Sequence, residues 1–159
     1  MTPLTTLPTP EVSDPSGDIR ITDSPLTPRR VAVAIQLPPG EPEPWWAKSV
    51  EDRLEELAHL ESNWNGHGAQ PPRPEAVLIG VRVIAFLLGT HQNWPLPQIV
   101  PTWQGGLQLE WHLHSGDIEI TVDPRDAVWA YLSDGRNSID GPLTEMESRV
   151  SDLLGLAAG

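Results

Sequence analysis

The segment from Ala76 to Leu88 constrains the fold of this 159-residue chain most, because nearly all of its side chains are apolar. A helix that is apolar on most sides is typical of the buried centre of a domain. The run contains Arg82 and is too short to span the ~30 Å of a bilayer's hydrocarbon. We therefore expect a central helix that begins at Pro74 and buries aliphatic side chains, each contributing at most about 1.5–3 kcal/mol.

After Gly89 the helical period gives way to strict alternation. Residues 107–114 and 117–122 alternate apolar and polar side chains, which is typical of strands with one buried and one solvated face. Ser115 and Gly116 between them predict a two-residue hairpin loop. Residues 98–100 and 127–132 add a strand on either side.

Two further helices complete the predicted order of elements. Pro44 predicts the start of the first, which should end near Ser62–Asn63, and a last helix should carry an apolar stripe that includes Val150. Helices packed on one face of an antiparallel sheet satisfy this order. The sequence thus predicts an α+β fold of two layers, an antiparallel meander of four to five strands with two or three helices packed on one face.

Residues 1–43 differ from the rest of the chain. Residues 1–44 contain ten of the eighteen prolines, and large apolar side chains are scarce before Val31. We expect residues 1–43 to form a mostly disordered arm, and residues 44–159 to form one domain. A period-two pattern at residues 31–37 predicts one strand in the arm, either at the edge of the main sheet or paired with the edge of another protein.

The net charge of −12 belongs mainly to the predicted domain, where 16 acidic residues stand against 7 basic ones in residues 44–159. Negative charge repels phosphate backbones and anionic lipids, so nucleic acids and membranes are disfavoured as direct partners. A basic protein is the favoured partner, and solubility alone is the competing explanation of the acidity. A homodimer formed through a sheet edge is a further alternative.

The chain contains no cysteine, which excludes disulfides and thiolate chemistry. Residues 1–8 show neither the basic nor the apolar region of a secretory signal, so we expect a cytoplasmic protein. Neither a nucleophile elbow nor a phosphate-binding glycine loop is recognisable. We therefore expect no catalytic residue, no cofactor and no enzymatic activity.

The polar face of the predicted hairpin is where a metal site could form. With Ser115 and Gly116 as the loop, His112 would lie opposite Glu119 and His114 opposite Asp117. Two histidines and a carboxylate are ligands that zinc accepts, so His112, His114 and Glu119 are candidate ligands, and Glu110 with Glu119 a candidate hydrolytic pair. Ordinary histidine–carboxylate pairs on a solvated face are the favoured interpretation, with no metal bound.

Seven tryptophans, against one tyrosine and one phenylalanine, suggest a binding surface. Trp45 and Trp46 are adjacent, so one helix stripe cannot bury both, and Trp64 lies in a loop with two glycines. Exposed tryptophans are preferred binding anchors, whereas buried ones fix a loop to the core. We predict a partner-binding surface formed by Trp45, Trp64, Asn65, Gly66, His67 and Gly68.

Two of these segments carry a resemblance. Residues 63–71, with the order Asn-Trp-Asn-Gly-His-Gly-Ala-Gln-Pro, and residues 105–111, with the order Gly-Gly-Leu-Gln-Leu-Glu-Trp, resemble a group of short bacterial proteins of unknown function. That group carries a W-[DN]-G-x-G-A-x-P loop and a G-G-[IL]-x-L-E-W strand. His67 departs from the tyrosine more frequent there. The resemblance covers residues 60–132 and implies the bounds of a domain. It implies no activity.

These observations favour a non-enzymatic, acidic protein-binding domain that engages a more basic protein, as an antitoxin, an immunity protein or an accessory subunit does. One alternative is a metal-binding or hydrolytic domain that uses residues 110–119. Another is a mobile-element protein that mimics the charge of nucleic acid.

Overall fold

A computed structural model describes residues 19–22, 32–35, 39–89, 91–123, 125 and 127–159. Its helices are α1 (Ala47–Ala58), α2 (Pro74–Leu88) and α3 (Leu143–Ala158). Its strands are β1 (Ile19–Thr22), β2 (Ala32–Ile35), β3 (Gln98–Pro101), β4 (Leu107–Leu113), β5 (Gly116–Val122), β6 (Val128–Ser133) and β7 (Ser138–Pro142).

Strands β3 to β7 form one antiparallel sheet in which neighbours in the sequence are neighbours in space. The three helices lie along one face of this meander. Helix α1 contacts β3, α2 contacts β4 and β5, and α3 contacts β5, β6 and β7. The α+β fold predicted from the sequence is confirmed, with β7 as the fifth strand.

The core lies between the helices and the sheet and follows the alternation of the strands. In β4 and β5 every second residue is buried, and the largest of these side chains is Trp111. The core-facing residues of the two strands are Leu107, Leu109, Trp111, Ile118, Ile120 and Val122. The indole N–H of Trp111 donates to the carbonyl of Pro95 at 2.8 Å, so this buried polar atom is satisfied.

Helix α2 is the buried central helix that the sequence predicts. Its buried residues are Ala76, Val77, Gly80, Val81, Val83, Ile84, Leu87 and Leu88, whereas Arg82 and Phe86 are exposed. A Cβ at Gly80 would lie 3.0 Å from Cδ1 of Leu107 in β4. A glycine at this position therefore lets the helix backbone come close to the sheet.

The predicted bounds of the first helix are wrong at both ends. The carbonyl of Pro44 accepts from the amide of Ala47 at 2.9 Å, which closes a turn, and α1 begins only at Ala47. At the other end α1 stops at Ala58, because the amide of His59 bonds to the carbonyl of Glu56 instead of continuing the helical pattern.

The strand predicted at residues 31–37 contains β2, but its placement at the edge of the main sheet is wrong. Strand β2 pairs with β1 in a separate two-stranded antiparallel sheet. It lies against α1, where the amide of Ile35 donates to Oε1 of Glu51 at 2.8 Å. Most of the predicted disordered arm, including Val31 and residues 36–38, lies outside the described residues.

In the part of the chain that the structure describes, no helix has the length and apolar character needed to cross a membrane.

Truncation of Ile84 tests the role of α2. Ile84 is fully buried, whereas Phe86 on the same helix is 63% exposed. We expect Ile84→Ala to lower the free energy of unfolding by roughly 2–5 kcal/mol through lost burial and a residual cavity. Phe86→Ala, the control, should change it by at most about 0.5 kcal/mol. Urea unfolding followed by tryptophan fluorescence measures both, and equal losses would contradict the observed orientation of α2.

Candidate functional site

The face of the sheet opposite the helices is the candidate site, and we call it the open face. The alternation that buries one set of strand residues turns the other set outward. The outward set comprises Gln98, Val100, Gln108, Glu110, His112, Asp117, Glu119, Thr121, Trp129, Tyr131, Ser133 and Asp140. Strands β3 to β7 contain four carboxylates and neither lysine nor arginine, and all four carboxylates belong to this set.

The turn between β4 and β5 lies one residue earlier than the sequence predicts, which shifts the pairing of the two strands by two residues. Leu113 pairs with Gly116, so His114 and Ser115 form the turn. Gly116 belongs to the strand because a Cβ there would lie 2.1 Å from the carbonyl oxygen of Ser133 in β6, and its φ of 143° favours glycine. The glycine that suggests a loop is thus required by close contact between strands.

This register changes which polar side chains meet. Glu110 lies directly opposite Glu119, and His112 lies opposite Asp117 instead of Glu119. Directly opposite residues in an antiparallel sheet have Cα atoms about 4.5–5.5 Å apart, and like charges at that position are destabilising. Glu119 accepts a hydrogen bond of 2.9 Å from the side-chain amide of Gln108. Nε2 of His112 lies 3.5 Å from Oε2 of Glu110.

His112 is the titratable group most affected by this arrangement. Its Nδ1 lies 2.9 Å from Oδ1 of Asp117. The hydrogen bond to Asp117, helped by that to Glu110 and by the charge of both carboxylates, raises the pKa of His112 above its usual value despite partial desolvation. The protonated imidazole is therefore favoured beside the carboxylates of the open face.

The predicted zinc ligands do not assemble into one site. His112 pairs with Asp117, Glu119 faces Glu110, and His114 lies in the turn. Among the described residues, no three His, Cys, Asp or Glu side chains are arranged to hold a metal ion.

Exposed aromatic side chains accompany the carboxylates. Trp129 is 47% and Tyr131 37% exposed, both on β6. Trp129 donates its indole N–H to Oδ2 of Asp140 at 3.0 Å. Trp103, 65% exposed, lines a shallow depression of about 390 Å³ together with Gln108 and Thr121 of the open face. The aromatic surface therefore extends from β6 toward the loop that joins β3 and β4.

The binding surface predicted from the sequence does not include these aromatic residues, although the sequence of β6 contains one signal of their exposure. Val128, Ala130 and Leu132 alternate with Trp129 and Tyr131, so a core on one side of β6 turns both rings outward. Trp103 carries no such signal, because it lies in a loop without a period.

The predicted binding loop, residues 64–69, satisfies its own polar groups. The side-chain oxygen of Asn65 accepts from the amides of His67 at 2.8 Å and Ala69 at 3.1 Å. Asn63, whose φ is 66°, accepts from the amide of Gly68 through its side chain. The half-buried Trp64 donates its indole N–H to the carbonyl of Gln70 at 3.1 Å. These contacts support the interpretation that Trp64 fixes the loop, while Gly66, His67 and Gly68 remain exposed.

Trp45 is exposed and is separated from this loop along the chain by α1. It precedes α1, whereas the loop follows α1, and a helix of 12 residues is about 18 Å long. Its neighbour Trp46 is buried in the core. A partner role for the six predicted binding residues stays a prediction.

No family model matches the chain, and neither a curated protein nor a solved structure matches it. The resemblance carried by residues 63–71 and 105–111 therefore stays a prediction.

Replacement of Asp117 tests the electrostatics of His112. In the wild type, NMR titration should give His112 a pKa above about 6.5, and Asp117→Asn should lower it because the main hydrogen-bond acceptor loses its charge. A pKa raised by folding contributes stability that is present below about pH 6.5 and is lost as the pH rises through the folded value. The stability difference between wild type and Asp117→Asn should therefore be larger at about pH 5.5 than at pH 8.5. An unchanged His112 titration would contradict the contact.

Neutralisation of Glu119 tests the carboxylate pair. We expect Glu119→Gln to increase the free energy of unfolding at neutral pH by roughly 0.2–1 kcal/mol, because it removes a like-charge pair directly across two strands. Glu145→Gln in the first turn of α3 is the matched control. It changes net charge equally but removes a carboxylate that the helix dipole favours, so it should be neutral or destabilising. If the free energy of unfolding increases equally in both variants, net charge alone explains the effect.

Proposed function

We propose that this chain is a cytoplasmic, non-enzymatic, acidic protein-binding domain that engages a more basic protein, in the manner of an antitoxin, an immunity protein or an accessory subunit. The observation that carries the proposal is the composition of the open face. Glu110, Asp117, Glu119 and Asp140 face outward on strands that contain no lysine or arginine.

Two properties of this face support a protein partner. A surface of one sign of charge raises the rate of encounter with an oppositely charged partner. Exposed indole and phenol rings supply apolar area and hydrogen-bond donors, and such side chains are enriched among the residues that dominate interface energies. Trp129 and Tyr131 provide this area beside the carboxylates.

The arrangement of Glu110 and Glu119 does not favour the hydrolytic alternative. General acid–base chemistry uses carboxylates in a concave site that excludes water, whereas this pair lies on the outward side of a sheet. The nucleic-acid-mimic alternative shares the acidic surface with our proposal. The identity of the partner separates the two, because a mimic requires a protein that itself binds nucleic acid.

Capture from a lysate of the source organism tests the proposal. The tagged full chain should retain a basic protein whose affinity, measured afterwards with the purified pair, falls at least about tenfold when salt rises from about 50 to 300 mM. Repulsion between like charges should prevent strongly acidic proteins from being enriched. Capture of an acidic partner, binding insensitive to salt, or no retained protein would contradict it.

A further inference from the structure

We infer, on the basis of the proposed function, that the open face binds arginine side chains of the partner, with guanidinium groups stacked on Trp129 and Tyr131 and paired with the neighbouring carboxylates. The occupant is a surface segment of a basic protein that presents arginine. The open face is a different surface from the one predicted at Trp45, Trp64, Asn65, Gly66, His67 and Gly68.

The register of the sheet places aromatic and acidic groups in alternation. Tyr131 of β6 pairs with Glu119 of β5 on one side and with Asp140 of β7 on the other. Glu119 in turn pairs with Glu110 of β4. Since cross-strand neighbours are about 4.5–5.5 Å apart, a ring on β6 has a carboxylate within reach on both flanks. Trp129, two residues from Tyr131, is tied to Asp140 through its indole N–H.

This alternation fits guanidinium better than ammonium. Guanidinium is planar, can bond a carboxylate through two parallel N–H groups and can stack on an aromatic face at the same time. Ammonium is a compact and strongly hydrated point charge that gains less from a flat ring. Arginine at the partner surface therefore uses both kinds of group on the open face, whereas lysine uses mainly the charge.

The unfavourable pair of carboxylates gives independent support. In the sheet, Glu110 pairs with Gln98 and Glu119, and Glu119 pairs with Glu110 and Tyr131, so no cross-strand neighbour supplies a full positive charge to this pair. The imidazole of His112, 3.5 Å from Glu110, offsets part of the repulsion expected between them, and a guanidinium placed between the two carboxylates offsets more of it. Costs of this kind are typical of surfaces selected for binding in preference to stability.

The depression beside Trp103 extends the same surface. It is lined by Gln108 and Thr121, and Thr121 pairs with Trp129. The open face thus continues from Trp129 through Thr121 and Gln108 to Trp103 in the loop before β4. A partner segment that crosses the strands could place one arginine at Tyr131 and further side chains against Trp103.

Calorimetric titration of the full chain with nona-arginine and nona-lysine peptides tests the inference. In about 100 mM salt, the wild type should bind nona-arginine at least about threefold more tightly than nona-lysine. Glu110→Gln with Glu119→Gln should weaken binding of nona-arginine at least about fivefold. Trp129→Thr, which keeps a strand-favouring residue, should reduce the preference for arginine.

The matched control is Glu145→Gln with Glu147→Gln on α3, which changes the net charge equally and should weaken binding by about twofold or less. Amide shifts in NMR titrations should concentrate in β4, β5 and β6. Thermal unfolding checks that every variant is folded.

The outcomes separate the inference from the proposed function. The open face would be overturned as an arginine site if the two double variants weakened binding of nona-arginine equally, or if the wild type bound both peptides with equal affinity. Neither result would contradict the proposal that the chain binds a basic partner. If neither peptide binds, the result would count against the arginine site and against the proposed function. Shifts of the open-face amides on dilution of the protein alone would overturn the inference in favour of a second copy of this chain as the occupant.

Discussion

The structure depends on the packing of α2 against β4 and β5. Eight residues of this helix are buried, and Gly80 lets its backbone approach Leu107 of β4 closely. Burial of apolar area is the main favourable contribution to folding, so the orientation of α2 determines which side of the sheet becomes the core. Helices α1 and α3 cover β3 and β5 to β7 on the same side. The opposite side is consequently left open to water.

The open face follows from this one-sided packing, but its chemistry does not. A solvated sheet face can mix lysine, glutamate and threonine, whereas here the strands contain four carboxylates and neither lysine nor arginine, and Glu110 faces Glu119. Neither packing nor strand pairing requires that arrangement, and the pair opposes stability. Its presence beside Trp129 and Tyr131 is what links the fold to our proposal of a basic, arginine-bearing partner.

The sequence predicts those parts of the structure that are dictated by hydrophobic period. The apolar run of α2 and the alternation of β4 and β5 each suffice to assign an element and its buried face. The register of β4 against β5 cannot be predicted from this alternation, because a glycine at position 116 is typical of a turn. Only its close approach to Ser133 in β6 shows that Gly116 belongs to β5. Strand β7, with its exposed first residues, lacks a clear alternation. In the loop before α2, the side chains of Asn63 and Asn65 accept hydrogen bonds from the backbone of the loop. Trp64 in this loop is therefore explained at least as well by a structural role as by binding.

Hydroxyl-radical footprinting with mass spectrometry on the full chain tests most directly whether one face of the sheet is covered by helices and the other is open. Oxidation rates follow side-chain exposure, so Trp103 and Trp129 should react fastest and Tyr131 at an intermediate rate, whereas Trp46 and Trp111, each 2% exposed, should be protected. Rapid oxidation of Trp111, or protection of Trp129 in the isolated protein, would contradict the account.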